Sequence, residues 1–140
     1  MAVIREKDVF VGEQSLARWK ECASEQALRD SDSGVNAHFV APDLPRQIWA
    51  MSVRYSLYLL QLRAPGPGVE VRVAPWGAVK ILDGPASDPH NLTPPDVIEL
   101  EPDVWLRLAC GITKWDDERQ AGHISAVGER DDLSGLLPLV

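Results

Sequence analysis

The stretch "GITKWDDERQAGHISAVGERDDLSGLLPLV" (residues 111–140) is divided by glycines into short segments. Thr113 followed by Asp116 approximates a capping box, so "TKWDDERQA" predicts a short helix soon after Gly111. Gly122 is expected to end this helix, because glycine adopts the left-handed conformation at little cost. The charged run "WDDER" is then typical of a solvated helix face.

The residues after Gly122 predict a strand and a last helix. "HISAVGER" alternates Ile124 and Ala126 with a polar residue, which is the pattern of a strand. Gly128 beside it permits a close backbone approach or a bulge. In "DDLSGLLPLV" the leucines stand at helical spacing, which predicts a terminal helix.

A strongly apolar helix is predicted over residues 46–63, "RQIWAMSVRYSLYLLQLR". Its apolar residues spread around most of the circumference, so its second face is expected to be covered. The candidates are residues 1–45, a partner subunit and a bound apolar molecule. Leu16, Trp19 and Ala23 stand at helical spacing, so residues 1–45 are predicted to form a helical N-terminal extension.

The middle of the chain reads as a hairpin, a loop, a strand and a helix. "VEVRVAPWGAVKIL" (69–82) predicts a β-hairpin with one buried face and Trp76 folded over the sheet at its turn. "DGPASDPHNLTPP" (83–95) predicts a loop, "DVIEL" (96–100) a strand and "EPDVWLRLACG" (101–111) a helix. The whole order indicates an α+β domain with helices covering one sheet face.

Composition limits the partners and the compartment. The chain has 140 residues and a net charge of −7, from 14 Lys and Arg against 21 Asp and Glu, which disfavours nucleic acid. It has no apolar run of transmembrane or signal-peptide length, so stable membrane insertion is not expected. Cys22 and Cys110 form no CxxC motif and are interpreted as reduced thiols of a cytoplasmic protein.

Sequence motifs for catalysis, cofactors or metals are not found. The chain lacks GxSxG, GxxxxGK[ST], GxGxxG and HExxH motifs, so we expect no enzymatic activity and no cofactor. His38, His90 and His123 stand far apart in sequence at no metal-binding spacing, so each is predicted to be a surface or loop histidine.

The residues of the second half resemble the sterol carrier protein type 2 (SCP2) family. The resemblance rests on Gly111, an apolar Ile112, a short helix, Gly122, a strand and Gly128, followed by an apolar terminal segment. "VRYSLYLLQLRAPG", "VEVRVAPWGAV" and "PPDVIELEPDVWLRLACG" also look like the short sterol-carrier-like proteins of actinobacteria. The resemblance covers residues 46–140, which are predicted to form an SCP2-like domain. Residues 1–45, the predicted N-terminal extension, lie outside it.

This resemblance implies a mainly antiparallel sheet of about five strands, backed by helices, with an apolar tunnel between them that binds a lipid, sterol or fatty acyl chain without catalysis. Glu118, Arg119 and Gln120 stand where the family usually has apolar residues, so the tunnel is expected to be narrower or wetter, or absent. A solidly packed domain would instead serve as a protein-interaction or regulatory module, with a second copy as one candidate partner. The ligand-binding residues expected are Trp49, Val53, Leu57, Leu60, Trp76, Leu82, Trp105, Leu108, Ile112 and Leu136.

Overall fold

A computed structural model of the protein describes residues 2–84 and 96–140. Its helices and strands agree with the predicted order up to the last element. They are α1 (Val9–Asp32), α2 (Arg46–Arg63), β1 (Pro65–Val73), β2 (Gly77–Ile81), β3 (Asp96–Leu100), α3 (Pro102–Ala109), α4 (Trp115–Gln120) and β4 (Ile124–Val127). The predicted loop over residues 83–95 lies almost entirely outside the described residues.

The sheet differs from the expectation of about five mainly antiparallel strands. Across the described residues it has four strands in the order β2-β1-β3-β4. β2 and β4 pair antiparallel with their neighbours, whereas β3 runs parallel to β1, with Val69 opposite Asp96. The sheet is therefore mixed, because β2 and β3 lie on opposite sides of β1 and only β3 runs parallel to it.

The two faces of the sheet have opposite character, as the alternation predicts. Val69, Val71 and Val73 are fully buried under the helices. The other face of β1 carries Arg72, which pairs with Glu70 at 2.6 Å and with Glu99 of β3 at 3.1 Å. One face is thus core and the other carries charges toward water.

Helix α1 packs on the second face of α2. Of the three candidates for covering that face, it is therefore the N-terminal extension that does so. Trp19 is completely buried and meets Trp49 edge to face, with 5.5 Å between ring centroids. The helices approach closely at Gly12, where a Cβ atom would lie 2.7 Å from Cβ of Tyr55 and 2.9 Å from Cδ1 of Ile4.

The predicted terminal helix is wrong. Residues 133–140 form a single 3-10 turn, Ser134–Leu136, followed by extended chain. Gly135 and Pro138 stand inside the leucine pattern and disfavour a longer helix. The predictions for two glycines are confirmed. Gly122 has φ +79° and follows Ala121, the C-cap residue of α4. The backbone at Gly128 lies so close to Asp96 that a Cβ atom there would clash with it.

Replacing Gly12 by Ala should destabilise the protein by about 1–3 kcal/mol, because overpacking at a tight helix contact outweighs the higher helix propensity of alanine. Urea unfolding followed by circular dichroism measures the change. Gly135→Ala is the matched control, since nothing lies within 4 Å of a Cβ atom there. Equal midpoints for Gly12→Ala and the wild type would contradict the close packing of α1 on α2.

Candidate functional site

A buried ion pair joins α3 to α4. The Arg107 and Glu118 side chains have no solvent exposure and meet in a two-pronged contact. Nε of Arg107 donates to Oε2 of Glu118 at 2.8 Å, and Nη2 donates to Oε1 at 3.1 Å. Such planar pairing adds directional specificity to the electrostatic attraction.

Further polar groups complete this cluster. Nη1 of Arg107 donates to the Asp103 carboxylate at 2.8 Å and to the Val40 carbonyl at 2.9 Å. Thr113 donates its hydroxyl to Glu118 at 2.7 Å, and Nδ1 of His123 lies 2.8 Å from the other Glu118 oxygen. The cluster therefore connects α3, α4, the start of β4 and the extension.

The cluster holds both charges in their ionised forms. Burial alone would raise the pKa of Glu118, but hydrogen bonds from Arg107, His123 and Thr113 more than offset it, and the pKa lies below its usual range. Burial likewise disfavours the charged form of Arg107, whose pKa is nevertheless raised by its bonds to Glu118 and Asp103.

Two predictions about this region are wrong. The "WDDER" run is not solvated throughout, because Glu118 is fully buried. Thr113 does not cap α4, since its hydroxyl serves Glu118 and the N-cap residue is Lys114. The described histidines are partly exposed and lie outside the α-helices and strands, as predicted, although the rings of His38 and His123 lie 6.3 Å apart, edge to face.

One feature of the sequence could have indicated the cluster. Arg107 interrupts the otherwise apolar run "VWLRLAC" of a helix expected to be buried. A charge in such a run needs an opposite charge close by in the fold. Nothing in the sequence alone selects Glu118 over its acidic neighbours, since only the fold shows which one points inward.

The ten residues expected to contact a ligand all belong to the hydrophobic core or pack against it. Five are buried members of the core cluster: Val53, Leu57, Leu60, Trp105 and Leu108. Five are partly buried and pack against that cluster: Trp49, Trp76, Leu82, Ile112 and Leu136. The indole of Trp105 is held by its N–H, which donates to the hydroxyl of Ser56 at 2.8 Å. The ten side chains therefore belong to one hydrophobic core or contact it directly.

Trp76 folds over, as predicted, and contacts α2. Its carbonyl accepts a hydrogen bond from Nε of Arg54, and the guanidinium of Arg46 lies 5.6 Å from the centroid of its ring. The hairpin turn is thus fastened to the helix by one hydrogen bond and one cation–π contact.

An open groove of about 580 Å³ lies where α3, α4 and the last residues of the chain meet. Leu108 belongs both to the core cluster and to this groove. Trp115 is almost fully buried and its indole N–H has no hydrogen-bond partner among the described residues. The groove is lined by Leu108, Gly111, Thr113, Lys114, Trp115, Asp116, Asp117, Ser134, Leu137 and Pro138.

A second groove, of about 460 Å³, includes His123 of the Arg107 cluster in its lining. Leu100 and Val104 line it together with Arg72 and Glu99 of the sheet and with Glu101, the N-cap residue of α3. Like the first groove, it carries charges of both signs. Among the described residues, no group of three or more His, Cys, Asp or Glu side chains is placed to hold a metal ion.

These features define an α+β domain in which helices cover one face of a single sheet. The family model described as bacterial SCP ortholog matches residues 45–139, and the chain therefore belongs to that family, as the resemblance predicts. A search of curated proteins gave no match. Within residues 2–84 and 96–140, no helix has both the length and the apolarity that a membrane span requires.

Replacing Glu118 by Gln should destabilise the protein by about 3 kcal/mol, because it leaves the buried charge of Arg107 without its bidentate partner. Asp116→Asn is the matched control on the same helix, since its pair with Arg119 is exposed and is worth less than about 1 kcal/mol. Urea unfolding at neutral pH compares the two variants. Equal losses in both would show that the buried pair is not a major stabilising interaction.

The stabilisation from Glu118 should depend on pH. Because its folded pKa lies below the unfolded value of about 4.3, the contribution is fully present above about pH 4.3 and is lost as pH falls through the folded pKa. The difference in unfolding free energy between the wild type and Glu118→Gln should therefore shrink below that pH. A difference that stays constant from neutral to acid pH would contradict the lowered pKa.

Proposed function

We propose that the protein is a non-enzymatic binder of an apolar, lipid-like ligand, and that the groove of about 580 Å³ receives it. The observation that carries the proposal is that Leu108, a member of the hydrophobic core, is part of the lining of this groove. Membership of the bacterial SCP ortholog family supports the ligand class. The volume lies within the range of small-molecule sites, about 300–1,000 Å³.

The lining of the groove suits a ligand with one polar end. Leu108, Leu137 and Pro138 offer apolar surface for an acyl chain. Lys114, Asp116 and Asp117 are exposed and line the same groove, so a polar end of the ligand would lie among charges of both signs. Burial of its apolar part is what holds a ligand in a site of this kind.

A second function is supported by the packing between the sheet and the helices. The residues expected to surround a tunnel there belong to the hydrophobic core or pack against it, which supports a solid interior. A solidly packed domain of this kind serves as an interaction or regulatory module, with a second copy of the chain as its candidate partner. The two functions predict different contents of the purified protein: the binder should carry an apolar ligand, whereas the interaction module should carry none.

Titration with cis-parinaric acid, whose emission rises in apolar surroundings, tests the binder. We expect saturable binding by the wild type and about tenfold or greater weakening in Ser134→Trp, because the indole fills the groove and removes at least about 1.4 kcal/mol of ligand contact. Ser125→Trp is the matched control, since Ser125 is exposed and lines the other groove. It should bind like the wild type.

Three results would count against this proposal. Equally weakened binding of cis-parinaric acid in both tryptophan variants would show that the groove is not the binding site. If the wild type does not bind cis-parinaric acid, the proposed function itself is contradicted. A ligand-free protein of twice the chain mass in native mass spectrometry would favour the interaction module.

A further inference from the structure

The last eight residues, 133–140, form a strap across the ends of two helices. Arg63, the last residue of α2, donates from Nη1 to the carbonyls of Leu136 at 2.8 Å and Pro138 at 2.9 Å, and from Nη2 to that of Leu139 at 3.5 Å. At the end of α3, the carbonyl of Ala109 accepts from the amides of Leu139 and Val140. Arg63 is thus the side chain that binds the strap at three points.

The strap is also a wall of the apolar groove. Ser134, Leu137 and Pro138 line the groove opposite Trp115. Pro138 rests on Gly111, where a Cβ atom would lie 3.4 Å from that of the proline. Because the strap forms part of the lining, its outward movement would widen the groove above Leu108, which belongs to the core.

The contacts that hold the strap differ in exposure along its length. Leu133 is almost fully buried and anchors the beginning of the strap. The bonds from Arg63 are exposed to solvent, so water competes for each of them. The strap is also held from inside, because Leu136, Leu137 and Leu139 pack against the core and the amides of residues 139 and 140 bond to the carbonyl of buried Ala109. Loss of the exposed Arg63 bonds would lower the free energy of opening residues 136–140 while Leu133 stays in place.

We propose that Arg63 is a positioning residue that holds the strap closed, and that strap opening controls the entry and exit of the apolar ligand. This inference rests on the proposed function, because it concerns the same groove. A guanidinium can reach three carbonyls at once, whereas a lysine ammonium is a single point charge on a flexible stem. In this proposal the strap is closed in both the free and the ligand-bound protein, so the loss of Arg63 is expected to change the rates of exchange more than the affinity.

The test compares the wild type with Arg63→Ala, Arg63→Lys and the control Arg5→Ala, whose exposed bond to Asp8 lies in the extension. Hydrogen exchange of the Leu139 and Val140 amides measures strap opening. Stopped-flow mixing with cis-parinaric acid measures association and dissociation rates. In Arg63→Ala we expect amide exchange and both rates to rise about fivefold to tenfold, with Kd changed less than about twofold. Arg63→Lys should lie between, and Arg5→Ala should match the wild type.

The two readouts separate failure of this inference from failure of the proposed function. Unchanged exchange of the two amides in Arg63→Ala would show that Arg63 does not hold the strap. Faster amide exchange with unchanged ligand rates would show that the strap opens without controlling access. Both results overturn the inference alone, whereas no uptake of cis-parinaric acid by the wild type would overturn the proposed function with it.

Discussion

A charge inside an apolar helix constrains how the surrounding elements of this protein are arranged. Arg107 stands in the middle of α3, where its neighbours belong to the core, and an unpaired guanidinium there would be very costly. Glu118 must therefore point inward from α4, and the carbonyl of Val40 must lie within reach. The pair thereby fixes the orientation of α4 and the path of the extension. α4 in turn supplies one wall of the apolar groove.

Consecutive residues of one helix turn explain how a charged cluster and an apolar groove lie so close together. Successive side chains on an α-helix point about 100° apart, so Arg107 and Leu108 face different neighbours. The first meets α4 and the extension, while the second reaches the core and the floor of the groove. The polar residues that stand where the family usually has apolar ones do not all face the groove, because Glu118 is turned toward Arg107. This arrangement keeps a buried charge pair and an apolar binding surface compatible in one small domain.

The sequence predicts what depends on local pattern and leaves open what depends on direction in space. Alternation in "VEVRVAPWGAVKIL" correctly indicated the hairpin and its buried face, and the family was recognised from glycine spacing. The sequence pattern does not predict the direction in which strands pair, because the alternation is the same in a strand that runs parallel or antiparallel to its neighbour. For the same reason the acids of α4 looked alike, and only the fold separates buried Glu118 from exposed Asp116. In the terminal segment leucine spacing was misleading, because a glycine and a proline disfavour the helix that it implied.

The protein has two peripheral segments, and they are attached in different ways. The extension contributes Trp19 and Val40 to the same core as the sheet, and the Val40 carbonyl takes a buried hydrogen bond from Arg107. A buried bond of this kind cannot be exchanged for water without exposing the groups around it. The strap receives its side-chain bonds from Arg63 in solvent, where water can replace each one as it breaks. Leu139 also packs against the core, and its amide bonds to the carbonyl of buried Ala109, so the strap is not held by exposed bonds alone. Movement that leaves the fold intact is still expected at the strap rather than at the extension, and such movement would change the shape of the groove.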